Sequence, residues 1–266
     1  MTGLDLSPGS LVLILLILAA SALMSGLSGF GFSAIGALCL WLLPPPLGVP
    51  LLMSLSAANQ LMSLGQLKAD VAPLRRWWPD GPAPYIAGGL AGVPIGLALL
   101  HALPTAVLMA LFGAFLVGYA AYSTLKASAA RTPPRGGRFA AVAVGLAGGV
   151  IGGFTAFPGA AVIVWSGLRQ FSKRDTRAIV QPYILCLQIV SLALLAIQHP
   201  ATFDRKFWMI LALSLPVVLP STLLGVQLYR SLSDINFRRA TFMLLGASGF
   251  SLLVKAASAT TLMAAR

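Results

Sequence analysis

The sequence predicts an all-α polytopic membrane protein made of two inverted-topology repeats, each a broken helical hairpin followed by three spanning helices. Three observations lead there. The chain has 266 residues, 58% of them hydrophobic and only 9% charged, whereas a soluble domain carries roughly 25% charged residues. Its apolar stretches are long enough to cross a bilayer and are separated by short basic loops. Two of those stretches are interrupted by small residues at similar places in the two halves.

A spanning helix needs about 20 apolar residues for a hydrocarbon core ~30 Å thick. Segments 49–67, 84–100, 104–125, 178–198, 206–228 and 239–258 qualify. Tight corners are expected at His101–Pro104 and His199–Phe203. Regions 9–43 and 139–168 are too long for one span. The first is broken by "MSGLSGFGFSAIG" (24–36), the second by "GGVIGGFTAFPGA" (148–160). Arms of about 10–15 residues make roughly 15–22 Å of helix, so each arm is marginal for crossing alone.

Charge decides between a kinked single crossing and a hairpin. Loops 68–83 (Lys68, Arg75, Arg76) and 126–138 (Lys126, Arg131, Arg135, Arg138) must share a side. If 139–168 is a hairpin, loops 169–177 and 229–239 join them, placing 14 of the 18 basic residues inside. A single crossing leaves only 11 there. The positive-inside tendency favours the hairpin and puts both termini outside an inner (plasma) membrane. The net charge of +12 is thus a topology signal, and no nucleic-acid partner is expected. The segment "LAASALMSG" has a small-x-small pattern, but Asp5 and no Lys or Arg precede it, so it reads as a retained membrane segment.

Residues 1–125 form the expected first repeat, 126–138 a basic cytoplasmic loop, and 139–266 the second repeat. Gly26-x-x-Gly29 pairs with Gly149-x-x-Gly152, and Gly92-x-x-x-Gly96 with Ser221-x-x-x-Gly225, the offset drifting from 123 to 129. Five segments per half is an odd number, so the halves insert in opposite orientations. Interrupted helices at matching positions of inverted repeats point to a secondary transporter's central site. Non-helical backbone at membrane depth needs surrounding protein or a water-filled cavity, and the N–H groups of a helix start can face an anion. The first break offers Ser25, Gly26, Ser28, Gly29 and Gly31. The second offers Gly153, Thr155 and Gly159. Close helix packing is the alternative for these small residues and the main reading of the stripe Gly88, Gly92, Gly96.

Polar residues flank both breaks. Ser56, Asn59, Ser63 and Gln66 share one helix face with Gln60 beside it. Gln181, Gln188 and Ser191 share another, with Tyr183 close by. Asn59, Gln60, Gln181 and Tyr183 are therefore candidate substrate contacts, as is Arg177 at the cytoplasmic start of its helix, where an ordinary topology determinant is the alternative. Amides in lipid need partners, so bonding between helices is the alternative role. The absences exclude more. No Asp, Glu, Lys or Arg lies in the middle of a span, which removes carboxylate relays. His101 and His199 occupy corners, Cys39 and Cys186 lie in apolar runs without metal-ligand spacing, and there is no P-loop. No enzyme activity, metal or cofactor is expected.

The stretches "SGLSGFGFSAIGALCLWLLPPPLGVPLLMSLSAANQL", "GGLAGVPIGLALLHALP" and "GLAGGVIGGFTAFPGAAVIVW" resemble the sulfite exporter TauE/SafE family of membrane transporters. The likeness covers about 20–260. It implies export or exchange of a small sulfur-containing anion such as sulfite, a sulfonate or thiosulfate, or of a related organic acid. The expected partners are that anion and the lipid bilayer, with a homo-oligomer left open. An ion-coupled importer and a non-transporting membrane scaffold are the alternatives.

Overall fold

The computed structural model describes residues 7–66, 81–102, most positions from 107 to 121, 136–231 and 233–264. The described residues are helical, with no strand. Nine helices are bounded: α1 (Pro8–Ser28), α2 (Phe32–Gly36), α3 (Pro45–Gln66), α4 (Ala83–Ala102), α5 (Arg138–Thr155), α6 (Ala160–Leu168), α7 (Lys173–Gln198), α8 (Arg205–Ser231) and α9 (Asp234–Ala264). A 3₁₀ segment, Ala37–Trp41, continues α2. The described positions between 107 and 121 are helical too. The expected loops 68–83 and 126–138 lie almost wholly outside the described residues, as does part of the span expected at 104–125.

Among the described residues, five helices are long and apolar enough to cross a membrane: Pro8–Ser28, Leu47–Gln66, Arg138–Thr155, Lys173–Gln198 and Arg205–Ser231. Their ends follow local chemistry. Ser7 Oγ accepts from Ser10 N at 3.2 Å, with Pro8 in the first turn, where its missing N–H costs nothing. Ser172 Oγ accepts from Asp175 N at 3.1 Å to start α7, and Asp204 Oδ1 accepts from Phe207 N at 2.9 Å to start α8. Outward-facing Leu13, Leu16, Trp41, Ile189, Ile197 and Trp208 are large and exposed. That is the surface a lipid solvent tolerates and water does not.

Both interrupted regions are hairpins of unequal arms, which corrects the expected lengths. The entering arms α1 and α5 have 21 and 18 residues, enough to cross. Only the returning arms are short. Phe32–Trp41 and α6, with 9 residues, give roughly 14–15 Å of helix. The sequence breaks lie late in each region, not at its centre. On the return, Cys39 Sγ reaches Ile14 O at 3.9 Å, and Arg169 NH1, just after α6, reaches Gly136 O at 3.4 Å, just before α5. The second hairpin therefore comes back to the face it left.

Two glycine seams hold the hairpins to the rest. Along α4 and α5, Gly88 backs onto Val142 O, Gly92 onto Leu146 O and Gly96 onto Val150 O, while Gly145 backs onto Tyr85 O and Gly149 onto Gly89 O. The pairs rise together, so α4 and α5 run parallel in backbone contact. Along α1 and α8, Gly225 lies 2.9 Å from Gly26 Cα, measured from the position a Cβ would take. The entering arm of each hairpin thus packs on a helix from the other half of the chain.

Helix directions follow from further contacts. Arg230 NH2, at the end of α8, donates to Gln66 O at the end of α3 at 3.2 Å. Lys173 Nζ, at the start of α7, donates to Tyr229 O at 3.4 Å, so α7 runs against α8. Gly89 faces Tyr183 and Leu187, and a cleft higher up is lined by Pro94, Leu97, Ala98, Leu194 and Gln198, so α4 and α7 run together. Two large apolar clusters result among the described residues. One gathers Val93, Phe157, Ile163, Tyr183 and Leu187, the other Ile14, Leu18, Phe32, Leu52, Phe207 and Val218.

Candidate functional site

The first break is a tight turn made by one hydroxyl and one glycine. Ser28 Oγ donates to Met24 O at 2.7 Å and accepts from Phe30 N at 3.4 Å and Gly31 N at 3.2 Å. Gly29 closes α1 at φ 88°, its N–H donating to Ser25 O at 2.6 Å. That left-handed conformation suits glycine, which has no Cβ to clash. The space is also taken: a Cβ at Gly29 would stand 2.9 Å from Arg177 Nε.

The second break repeats this construction. Thr155 Oγ1 donates to Ile151 O at 2.7 Å and accepts from Phe157 N at 3.1 Å. Ala156 takes the left-handed role at φ 59°. Thr155, Ala156 and Phe157 therefore correspond to Ser28, Gly29 and Phe30. The expected pairing of Gly29 with Gly152 is corrected: Gly152 lies a turn earlier, where a Cβ would be 2.5 Å from Pro158 Cβ. Matching glycine to glycine misled, because the structural equivalent of Gly29 is an alanine. Ala156→Gly should stabilise the fold by up to about 1 kcal/mol, since relief of the left-handed strain exceeds the added chain entropy. Chemical denaturation in detergent measures it, and a loss of stability would contradict the assignment.

The breaks meet through their phenylalanines. Phe30 and Phe157 stack with ring centroids 6.4 Å apart and planes 15° apart, and both are buried.

Four buried polar side chains close around the first turn. Asn59 Nδ2 donates to Ser25 Oγ at 2.6 Å, and its Oδ1 accepts from Thr222 Oγ1 at 2.6 Å, tying α1, α3 and α8 together. Gln60 Nε2 donates to Gly29 O at 3.0 Å. Arg177, only 1% exposed, donates through NH2 to Gly26 O, with Ser25 O at 3.5 Å as a marginal second acceptor. These are carbonyls of the last turn of α1, where the helix dipole is negative and a cation is favoured. The guanidinium carbon lies 3.9 Å from the centroid of the Tyr229 ring, and Lys173 Nζ lies 4.8 Å from the same centroid.

The remaining expected contacts lie beyond the first turn. Gly26 belongs to the α1–α8 seam. Gly153 belongs to the α4–α5 seam, where a Cβ would lie 2.9 Å from Gly96 Cα. Gly159 precedes α6 beside the Ile184 side chain. The Tyr183 hydroxyl donates to Gly145 O at 2.7 Å, so its proton is committed to α5. Gln181, one turn along α7 from Arg177, is 2% exposed, and its Nε2 has no hydrogen-bond partner among the described residues. Sequence reasoning missed Thr222, Tyr229 and the Phe30–Phe157 contact. Thr222-x-x-Gly225, next to the Ser221-x-x-x-Gly225 spacing, could have signalled Thr222. Nothing local marks the two phenylalanines.

Among the described residues, no group of three or more His, Cys, Asp or Glu could hold a metal, and both cysteines are free thiols. The arrangement offers neutral amides, hydroxyls and one buried guanidinium around two irregular turns, a set suited to holding an anion reversibly. In comparison with known protein families, the family model described as sulfite exporter TauE/SafE matches residues 13–252. No curated protein and no solved structure matches. Both breaks, both glycine seams and Arg177 lie within the matched range, and this multi-pass membrane chain belongs to the sulfite exporter TauE/SafE family.

Proposed function

We propose that the protein exports a small sulfur-containing anion, of the sulfite, sulfonate or thiosulfate type, by alternating access around the two breaks. The carrying observation is the Gln181 Nε2 donor, buried and without a partner among the described residues, one turn from a buried cation that touches Gly29. A buried donor left unpaired costs about 1–3 kcal/mol. An anion offers it what it lacks. The substrate contacts in this reading are Ser25, Ser28, Gly29, Gly31, Gln60, Thr155, Gly159, Arg177 and Gln181, with Asn59 behind them holding Ser25. Gly26, Gly153 and Tyr183 fix the helices that carry the site.

Two inverted repeats fit this reading. α1 runs with α8 and α3, α5 runs with α4 and α7, and the two sets run in opposite directions. The matched turns at Ser28–Phe30 and Thr155–Phe157 and the reciprocal seams support the same relation. The flanks at Gln66, Gly136, Arg169, Lys173 and Arg230 are joined by contacts on one face, which the basic loops assign to the cytoplasm of an inner membrane, with both termini outside. An inside-negative potential is worth roughly 2.3 kcal/mol per charge per 100 mV, so anion export is downhill without a coupling carboxylate.

Proteoliposomes loaded with sulfite test this. Efflux should follow a potassium-set potential, and Gln181→Leu should cut it about tenfold, the worth of one charged hydrogen bond. Flux that ignores voltage and requires a proton or sodium gradient would count against electrogenic export. Absence of flux for sulfite, thiosulfate and sulfonates would remove the transport reading.

A further inference from the structure

We infer that the transported species is an anion that carries its own O–H donor, and that Gln60 Oε1 is the atom that reads it. The inference rests on the export reading and narrows its substrate class.

Gln60 is fully buried, and its orientation is fixed by a partner that can only accept. Nε2 donates to Gly29 O at 3.0 Å, and a carbonyl has no hydrogen to give, so the amide cannot be turned around. Oε1 therefore points away from Gly29, and it has no hydrogen-bond partner among the described residues. Ser63 lies on the same face of α3 one turn on. It too is fully buried, and its hydroxyl likewise has no partner among them.

Gln60, on Gly29 from α3, and Gln181, one turn along α7 from the Arg177 that lies against Gly29, differ in what they leave unused. Gln181, whose Nε2 is tied to no partner among the described residues, can turn an N–H toward a ligand, a donor that any oxyanion satisfies. Gln60 presents an unused acceptor, which a fully deprotonated oxyanion cannot satisfy. Two sets of lone pairs facing each other in low-dielectric surroundings repel. A ligand that both accepts from Gln181 and donates to Gln60 satisfies both. Hydrogen sulfite and a hydroxyl-bearing sulfonate share this pattern: one negative charge, several acceptor oxygens and one O–H. Sulfate and the sulfite dianion lack the donor. The charged and titratable groups near the region are Arg177 and Lys173 from α7 and Tyr229 and Arg230 from α8, and α9, which packs on α1 and α2, carries Lys255, whose buried Nζ has no partner among the described residues. The helices α1, α2 and α3 carry no titratable side chain, and Cys39 sits in the 3₁₀ segment beside Ile14, far along the hairpin from Gly29.

Binding to the purified full-length protein in detergent tests the inference. The probes are 2-hydroxyethanesulfonate, ethanesulfonate, sulfate, and sulfite in mildly acidic and mildly alkaline buffer. The hydroxysulfonate should bind about tenfold more tightly than ethanesulfonate, the worth of one net hydrogen bond. Sulfite should bind more tightly in the acidic buffer, where it holds its proton, while the affinity of the hydroxysulfonate, whose charge is the same in both, stays level. A preference for the hydroxysulfonate alone assigns the site to substituted sulfonates, and a shared preference assigns it to the common pattern. Gln60→Met should erase the hydroxyl preference, and the comparison in the parent protein stands even where that variant does not fold. Ethanesulfonate binding as tightly as its hydroxyl analogue overturns the inference and leaves the export reading in place. Failure of every probe to bind overturns both.

Discussion

Replacing Arg177 by alanine should abolish anion flux and lower stability by about 3 kcal/mol, because a charged hydrogen bond is worth about 1.5–3 kcal/mol and a desolvated cation–π contact about 2 kcal/mol. The side chain is buried at the joint of three helices. It neutralises the negative end of α1, lies against Gly29 and stacks on Tyr229 of α8. Removing it leaves the Gly26 carbonyl without this donor and opens a hole beside the turn. Arg177→Lys is the sharper experiment. A lysine keeps the charge but cannot lie flat on the Tyr229 ring while its nitrogen reaches Gly26 O. Flux should therefore stay below a tenth of the parent's in Arg177→Lys, whereas Tyr229→Phe, which keeps the ring, should transport nearly normally. Thermal unfolding in detergent and sulfite efflux from vesicles are the two readouts. Full flux in Arg177→Lys would reduce the residue to a topology determinant, the alternative its position at the start of a helix suggests.

Much of this fold was legible because lipid imposes a strict rule: backbone groups must be satisfied within the segment, so apolar length reads directly as a helix. The spans expected at 49–67, 178–198 and 206–228 coincide with α3, α7 and α8 to within a few residues at most ends. The breaks were legible because glycine lowers the cost of leaving the helical conformation and a serine or threonine side chain can bond the freed backbone. Arm lengths were not. Small residues at Gly145, Gly148 and Gly149 resemble a break in sequence, yet α5 runs straight through them, because there they serve close approach to α4 and Pro158. A glycine that releases the backbone and a glycine that admits a neighbour carry the same letter. The polar residues show the same limit. Periodicity placed Asn59 and Gln60 side by side, but only the packing of α8 against α1 gives Asn59 a partner at Thr222 and leaves Gln60 Oε1 without one among the described residues. Long-range contacts such as Phe30 with Phe157 have no local signature at all.

That ambiguity between the two kinds of glycine leads to the second large effect. Gly149→Val should prevent recovery of folded protein, and Gly149→Ala should cost about 3 kcal/mol or more, the upper end of overpacking penalties. Any Cβ at Gly149 runs into Gly89 O, with Gly89 Cα at 2.9 Å. The obstruction is backbone, so no rotamer change relieves it, and α4 and α5 must separate. Separation also undoes the contacts of Gly88, Gly92, Gly96 and Gly145, which share the seam. Dispersion falls off steeply with distance, and two helices in lipid have little hydrophobic drive to hold them together once close packing is lost. Gly65→Ala is the matched control. Gly65 is an exposed glycine near the end of α3 with nothing within 4 Å of its Cβ position, so the change should be neutral or stabilising by less than about 1 kcal/mol. Size-exclusion recovery and thermal unfolding compare the three variants. The seam also carries Gly153 at its upper end, next to the turn at Thr155 and Ala156. A modest separation that still folds should therefore weaken anion binding by displacing the second turn from Phe30. If Gly149→Ala unfolds and binds as the parent does, α4 and α5 are not in backbone contact, and the second turn must be held in place by α7 alone.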